Sequence, residues 1–331
     1  MHKTVHIDED GHFDSTPTYL FDYSDLYKTN PNEAGIQWFL DSHFTLGFNF
    51  GLHALLGKGQ NAMRELNIQK EHYENLLDVF KMEHFDPIDM VQFTVASGAR
   101  ALELTVKGPD GFCLWNTETH PFNVTKSPAQ RDILAEIASV CEYEGIGLCI
   151  RYSLGHDWRH KPSMDGESFF DLVMTQLKEL LINYGPIAAV NFDGMDGMEN
   201  DENAFPVHDA YHYIHSLQAQ TLISFQHGAN GEEDFFCTDF SEEPKGLYAT
   251  EKLKPVQLRE TMTPGCWGYN ADLAGKHLRP AQILGKLKDA SAKQAHLLLN
   301  VNLMPDGSLD LEDINALLEV GKSIQEKGFP T

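Results

Sequence analysis

The sequence predicts an α/β fold, a single (β/α)8-like TIM barrel in which parallel strands alternate with helices. Short apolar runs recur along its 331 residues, and helical patterns separate them. The runs are continuous rather than alternating, which is typical of parallel strands buried on both faces. About eight strands without a GxGxxG fingerprint or a P-loop favour a closed barrel over a doubly wound nucleotide-binding sheet.

The candidate strands are rich in β-branched residues and often end at Gly, Asn or Asp. The six clear runs are residues 44–50, 101–106, 147–152, 188–192, 221–225 and 296–301. Two weaker candidates lie between the last two, near residues 257–262 and 266–269. Together they supply the eight strands that a barrel requires.

Three long helical patterns have apolar residues at spacings of three to four, and they cover residues 127–143, 169–184 and 311–326. The first is expected to begin at Ser127, an N-cap residue followed by Pro128. Residues 53–85 form an insertion of helical character after the first strand. No linker or repeat interrupts residues 1–331, so one barrel domain without a C-terminal β-sandwich is expected.

The charge balance excludes some classes of partner. The chain has 49 acidic and 25 basic residues, a formal net charge of −24. Nucleic acids and anionic membranes are bound chiefly through Lys and Arg, so neither is an expected partner. No apolar stretch approaches the roughly 20 residues of a membrane span. No cofactor is predicted, and homo-oligomer formation stays open.

Cysteine usage and the amino terminus indicate a compartment. The five cysteines are odd in number, show no CxxC spacing and often lie in apolar runs. They are expected to be buried free thiols in a reducing environment. The polar first ten residues contain no signal peptide, so a cytoplasmic location is predicted. A leader removed earlier would instead indicate a periplasmic or secreted protein.

The active site of such a barrel lies at the carboxyl ends of its strands. The sharpest signal there is Asp193, which ends the apolar fourth strand and is followed at once by Gly194. This arrangement presents a carboxylate at the mouth with room for a ligand. Retaining glycosidases need such a nucleophile about 5–5.5 Å from a second carboxyl group. A capping role for Asp193 is the alternative.

Further short motifs occur in a fixed order along the chain. They are LELTVK at 102–107 with DGFCLW at 110–115, RD at 131–132, YS at 152–153 with DW at 157–158, NYGP at 183–186, FDG at 192–194, WGYN at 267–270, and LLLNV at 297–301 with DG at 306–307. In this order they resemble the α-L-fucosidases (glycoside hydrolase family 29) over roughly residues 36–320. The resemblance implies a single catalytic barrel domain that hydrolyses terminal α-L-fucosyl or related glycosidic bonds, with an oligosaccharide or glycoconjugate as substrate.

The resemblance also implies roles for individual residues. Asp193 corresponds to the nucleophile of a retaining mechanism, and the acid/base belongs to a loop some forty residues later. Glu243 is the first choice for that acid/base and Glu242 the second, with Glu232, Glu233 and Glu260 behind them. The expected substrate-binding residues are Asn49, His53, Asp110, Trp115, Tyr152, His156, Asp157, Trp158, Asn191, Gln226, His227 and Trp267.

Departures from the family pattern fall on residues that recognise the sugar. Asn49 stands where a His is usual, Gly108 and Pro109 replace a His pair, and Asn191 replaces a Trp. Gln226 and His227 stand where an Arg is expected. Losing such partners changes which hydroxyl groups a site can discriminate. A different sugar specificity, or a non-catalytic carbohydrate-binding relative, therefore stays open.

Two histidine groups could bind a metal. His208, His212 and His215 lie at helical spacing, and two His at i and i+4 can hold zinc. The sequence offers no third ligand at a fixed spacing, so a partly exposed amphipathic helix is the simpler interpretation. His156 and His160 follow the third strand, where a substrate-facing loop is expected instead. No metal site is predicted.

Overall fold

Eight parallel strands form one sheet that curls into a nearly closed barrel. A computed structural model describes residues 7–8, 10–194, 205–226, 228–241 and 254–331. The strands are β1 Phe44–Asn49, β2 Ala101–Lys107, β3 Gly147–Ser153, β4 Ala189–Asp193, β5 Leu222–Phe225, β6 Phe236–Asp239, β7 Val256–Thr261 and β8 His296–Asn302. Their spatial order is β5-β4-β3-β2-β1-β8-β7-β6, so β1 pairs with both β2 and β8. The predicted barrel is confirmed.

The seam of the barrel lies between β5 and β6. Two backbone hydrogen bonds cross it, from Asp234 N to Ile223 O (2.9 Å) and from Cys237 N to Gln226 O (2.8 Å). The carboxylate of Asp234 also accepts from Ile223 N at 2.8 Å. These contacts bring the two terminal strands side by side.

Seven of the eight predicted strands are confirmed, and one is wrong. Residues 266–269 belong to a turn rather than a strand; Gly265 just before them and Gly268 among them take positive φ angles of 73° and 80°. The missing strand is β6, which has only four residues, among them Thr238 and Asp239. So short a segment, half of it polar, carries too short an apolar run to be predicted.

The helices lie around the outside of the barrel of strands. The exceptions are the helices that precede β1 and the short helices of the insertion after β1. They are α1 Ser24–Tyr27, α2 Pro31–Ser42, α3 Ala62–Glu65, α4 Lys70–Glu74, α5 Pro87–Ala96, α6 Ile133–Glu144, α7 Gly166–Asn183, α8 Val207–Leu217, α9 Pro280–Ala292 and α10 Leu311–Lys327. Short 3-10 turns lie on either side of α3 and α4, Leu52–Leu56 before α3 and Asn75–Val79 after α4, and to within one residue all four elements fall in the segment predicted to be an insertion after strand one.

The start of α6 differs from the prediction. The carboxylate of Asp132 accepts from Ala135 N at 3.0 Å and caps the helix, which begins at Ile133. The hydroxyl of Ser127 instead donates to Val124 O within a preceding turn. Ser127 and Pro128 therefore belong to a loop, because a better-placed cap follows them.

The barrel interior is layered from one end to the other. At the amino end, Trp38 and Phe39 of α2 pack against the small interior side chains Ala101, Cys149 and Ala189. Two residues further along the same three strands lie the polar side chains Glu103, Arg151 and Asn191. Because strand side chains alternate between faces, these positions share the interior. The apolar layer closes one end and leaves the polar layers toward the other.

The structure also tests what was predicted from the cysteines and from the lengths of the apolar stretches. All five cysteines are buried free thiols, as predicted. Within the described ranges, no helix is long and apolar enough to span a membrane. The cytoplasmic location stays a prediction.

Candidate active site

A cavity of about 230 Å³ opens at the carboxyl ends of the strands. Both acidic and basic side chains line it, together with two tryptophans. The lining residues are Gln60, Asn61, Arg64, Pro109, Arg151, Ser153, His156, Trp158, Asp193, Gly194, Gln226, Asp239, Arg259 and Trp267. The site thus lies where a (β/α)8 barrel is expected to have one.

Strand β4 delivers Asp193 to this cavity, and the next loop holds its backbone in place. Its carbonyl oxygen accepts from Leu154 N and Gly155 N, each at 3.1 Å. Gly194 has a φ of +71°, and a Cβ atom there would lie 2.6 Å from Nδ1 of His156. Glycine is therefore required, both by the backbone angle and by the close approach of the imidazole.

A hydrogen-bonded layer forms the floor of the cavity. The carboxylate of Glu103 accepts from Nε of Arg151 at 2.8 Å and from the amide of Asn191, and it lies 2.7 Å from Nη2 of Arg151. All three residues are buried, so the guanidinium and the carboxylate balance each other's charge. The Arg151 guanidinium also lies over the Trp267 ring, 4.4 Å from its centroid. The floor is thereby fixed on three strands.

A second carboxylate, Asp239 at the end of β6, shares the cavity with Asp193. Its Oδ1 lies 2.9 Å from Nη2 of Arg259, its neighbour in the register of β7. Burial alone would lower the pKa of Arg259. Interactions with Cys237 and with the two cavity carboxylates outweigh that effect and raise the pKa. A charged guanidinium therefore lies beside both carboxylates.

The insertion after β1 forms one side of the rim. Gln60 N donates to Trp267 O at 2.7 Å, and the Gln60 side chain accepts from the Asn49 amide, also at 2.7 Å. A Cβ atom on Gly268 would lie 2.5 Å from Gln60 N. This close packing holds Asn61 and Arg64 at the mouth.

The structure brings together part of the predicted substrate-binding set. His156, Trp158, Gln226 and Trp267 line the cavity beside Asp193, the predicted nucleophile. Asn49 and Asn191 lie one layer deeper, bonded to Gln60 and Glu103 respectively. Their contacts with a substrate stay a prediction.

Tyr152 and Asp157 lie outside the cavity wall, in a buried polar cluster. The ammonium of Lys107 lies 2.7 Å from Asp157 Oδ2 and donates to the Tyr152 hydroxyl at 2.9 Å. The Asp157 carboxylate is also 2.9 Å from Nδ1 of His160. Burial would raise the pKa of Asp157, but Lys107 and His160 hold it well below its ordinary value. The cluster is structural in its contacts.

Asp110, Trp115 and His53 are also buried away from the cavity. Asp110 accepts from the Tyr73 hydroxyl at 2.6 Å, and burial raises its pKa to about 6. The Trp115 indole donates to Glu179 of α7 at 2.9 Å, which places the ring outside the barrel. His53 packs under the 266–269 turn, and burial lowers its pKa to about 4.

The candidates for the acid/base divide into two groups. Glu242 and Glu243 lie outside the described residues, and so does His227, one of the predicted substrate-binding residues. Of the others, Glu260 pairs with Lys286 of α9, and Glu232 pairs with His208 of α8. Glu233 accepts from the backbone of its own loop, Ala229 N and Gly231 N. None of these three lines the cavity.

Sequence reasoning missed several residues of the site. Arg259 and Glu103 were given no role, although a charged residue inside an apolar strand signals an interior position. Arg151 lies near the end of β3, and Asp239 ends β6 in the same way as Asp193 ends β4, but the motif pattern assigns them no role. Asn61 and Arg64 could not be found in this way, because the insertion reaches the mouth only through its packing on Trp267.

The fold and this cavity define a (β/α)8-barrel protein with a carboxylate-bearing site at its strand ends. A sequence profile described as Alpha-L-fucosidase matches residues 22–328. The chain belongs to the α-L-fucosidase family.

Named relatives agree with this assignment. Alpha-L-fucosidase 1 of Arabidopsis thaliana is 26% identical over 73% of this chain and 52% of its own length. The solved α-L-fucosidase isoenzyme 1 of Paenibacillus thiaminolyticus superposes with a TM-score of 0.83 and 26% identity, over 90% of this chain and 77% of that one. An α-L-fucosidase of Lactobacillus casei, solved with α-L-fucose product, shares the fold (TM-score 0.77, 23% identity, 88% of this chain and 98% of that one). The chain spans about half the length of the curated relatives it matches.

Proposed function

We propose that this chain is a retaining exo-glycosidase that hydrolyses terminal α-L-fucosyl or closely related bonds, with Asp193 as nucleophile. The observation that carries the proposal is the position of Asp193, at the end of β4 and in the wall of the cavity. Membership of the α-L-fucosidase family supports the substrate class.

The reaction proceeds in two displacements. In the first, a carboxylate oxygen of Asp193 forms a bond to the anomeric carbon, while the bond to the leaving oxygen breaks. The acid/base residue gives its proton to that oxygen. In the second, the same residue takes a proton from water, whose oxygen attacks the anomeric carbon and releases Asp193. Two inversions leave the configuration of the sugar retained.

The acid/base is assigned to Glu243, with Glu242 as the alternative. Asp239 is in the cavity, but it already pairs with Arg259, and a general acid must instead hold a proton at the working pH. Strand β6 ends at Asp239, and each further residue extends the chain by at most about 3.6 Å. Residues 242 and 243 are therefore within roughly 14 Å of the cavity wall along the chain.

The test of the nucleophile is covalent trapping. In a deoxyfluoro-fucosyl fluoride, the ring fluorine slows both displacements, whereas the fluoride leaving group speeds only the first. The glycosyl ester therefore accumulates. We expect mass spectrometry to find the label on the peptide that contains Asp193. A label on Asp239, or no label in a chain that hydrolyses nitrophenyl α-L-fucoside, would overturn the assignment.

The acid/base is tested by rescue with azide. Replacing the acid/base with Ala slows turnover of substrates with poor leaving groups, and azide restores the second step because it needs no general base. We expect rescue of Glu243→Ala with formation of a glycosyl azide of retained configuration. Glu242→Ala is the matched control, and rescue of that variant alone would exchange the two assignments.

A different sugar specificity is the second candidate, favoured by Pro109. Pro109 lines the cavity at a position where α-L-fucosidases usually carry a histidine. A proline side chain has no donor for a sugar hydroxyl group. A panel of aryl glycosides distinguishes the candidates. Faster hydrolysis of another glycoside than of the α-L-fucoside supports altered specificity, and saccharide binding without hydrolysis supports a non-catalytic relative.

A further inference from the structure

Two histidines and a glutamate meet on the flank of the barrel, away from the cavity. His208 and His212 lie one turn apart on α8, with ring centroids separated by 4.3 Å. Glu232 comes from the connection between β5 and β6, and its Oε1 lies 2.7 Å from Nδ1 of His208. One ligand atom from each of the three residues lies within 4.8 Å of the others.

The third ligand is what sequence spacing could not supply. His215, the third histidine at helical spacing, turns away and lies 3.4 Å from Asp234 while stacking on Tyr211. Glu232 takes its place from a separate segment of the chain. Its second oxygen accepts from the Asn230 amide at 2.8 Å, a contact of the kind that orients ligating carboxylates.

The donor set indicates the class of ion. Two imidazole nitrogens and one carboxylate oxygen suit a borderline transition metal such as Zn²⁺, whereas Mg²⁺ and Ca²⁺ prefer oxygen ligands alone. In a tetrahedral site with bonds near 2.1 Å, adjacent ligand atoms lie about 3.4 Å apart. The side chains of His208 and Glu232 are 63% and 33% exposed, so small rotations can reach that spacing.

We infer that His208, His212 and Glu232 form a binding site for a divalent transition-metal ion, with Zn²⁺ as its representative. Bound metal joins the first two turns of α8 to the connection between β5 and β6. Helix α8 follows β4 in the chain and therefore begins near the carboxyl ends of the strands, the end of the barrel at which Asp193 lies. The site thus braces the flank of the barrel next to the seam.

The inference is tested by calorimetric titration of the tag-free, chelator-treated full chain with ZnCl₂. We expect one ion per chain, and at least about tenfold weaker binding in His208→Ala, His212→Ala and Glu232→Gln. Zinc is also expected to raise the melting temperature of the wild type, because the three ligands are brought together only in the folded chain. MgCl₂ at the same concentration should leave the melting temperature unchanged.

His72→Ala is the matched control, because it removes an exposed histidine from α4 and leaves the cluster intact. It should bind zinc as the wild type does. Circular dichroism without metal verifies that every variant is folded. The absence of saturable binding at submillimolar zinc would overturn the inference, and so would unchanged affinity in folded His208→Ala and Glu232→Gln. Neither result depends on whether the chain hydrolyses a glycoside.

Discussion

Two polar regions at the ends of neighbouring strands differ in what their charges can do. Around Asp193, carboxylates and guanidinium groups border an open cavity. Around Asp157, a carboxylate and the Lys107 ammonium face each other with side chains that are fully buried. The first region can meet a ligand, and the second can only hold the protein together. A polar residue at a strand end is therefore not by itself a site residue.

Strand geometry accounts for the difference. On β3, Arg151 and Ser153 point into the barrel, and Tyr152 between them points outward to Gln176 of α7. On β2, the register shifts between Thr105 and Lys107, so that Lys107 pairs with Tyr152. A bulge of this kind turns the following side chain to the other face. Lys107 therefore joins the outer cluster rather than the cavity.

The largest expected effect is that of Asp193→Asn. The amide keeps the shape of the side chain but cannot form the glycosyl ester, so kcat/KM should fall by about 10⁴-fold or more. The midpoint of urea unfolding should match that of the wild type, because Asp193 is partly exposed at the cavity. Activity is measured with an aryl α-L-fucoside. Retention of more than a tenth of the activity would remove Asp193 from the mechanism.

Asp157→Asn should show the opposite pattern, with stability as the main loss. The substitution leaves the Lys107 ammonium buried without its partner, which costs about 3–5 kcal/mol of unfolding free energy. Urea denaturation measures this quantity. Combining it with Lys107→Met should recover part of the loss, since the unpaired charge is then removed. Normal stability with abolished activity would instead make Asp157 a functional residue.

The pH dependence of stability tests whether His53 is a buried neutral ring rather than a substrate-binding residue. Its folded-state pKa of about 4 lies below the ordinary value, so the unfolded chain binds more protons between about pH 4 and 6.5. Stability from this residue is complete above that window and is lost as the pH falls through it, by up to about 3 kcal/mol. We expect His53→Leu to flatten the acid limb of stability measured by urea unfolding from pH 7 to 4. An unchanged slope would contradict the burial of a neutral imidazole.

The smallest effect is expected for Asp239→Asn. The amide keeps an oxygen beside the Arg259 guanidinium, so kcat/KM should fall only about tenfold through a weaker charge balance beside Asp193. Steady-state kinetics of Asp239→Asn and Asp193→Asn, measured side by side, compares the two losses of kcat/KM. A loss as large as that of Asp193→Asn, with azide rescue, would make Asp239 the acid/base in place of residues 242 and 243.

Much of the fold was predictable because it depends on local pattern. Continuous apolar runs indicated seven strands, and a strand-end carboxylate followed by glycine indicated Asp193. The short β6 and the start of α6 were not predictable, since a four-residue strand with two polar residues carries too short an apolar run and the better cap lies five residues beyond Ser127. The site was predicted only in part, because strand ends locate a residue but not the direction of its side chain.

By itself, therefore, the sequence determined the alternation of strands and helices, the family motifs and the position of Asp193 along the chain. Only the tertiary structure decided which polar groups share the cavity. The packing of Gln60 on Trp267 brings in the insertion, the bulge on β2 removes Lys107, and closure of the barrel sets Asp239 and Arg259 beside Asp193. The physical reason is that period-two alternation and barrel closure act between strands far apart in sequence, where no local pattern can express them.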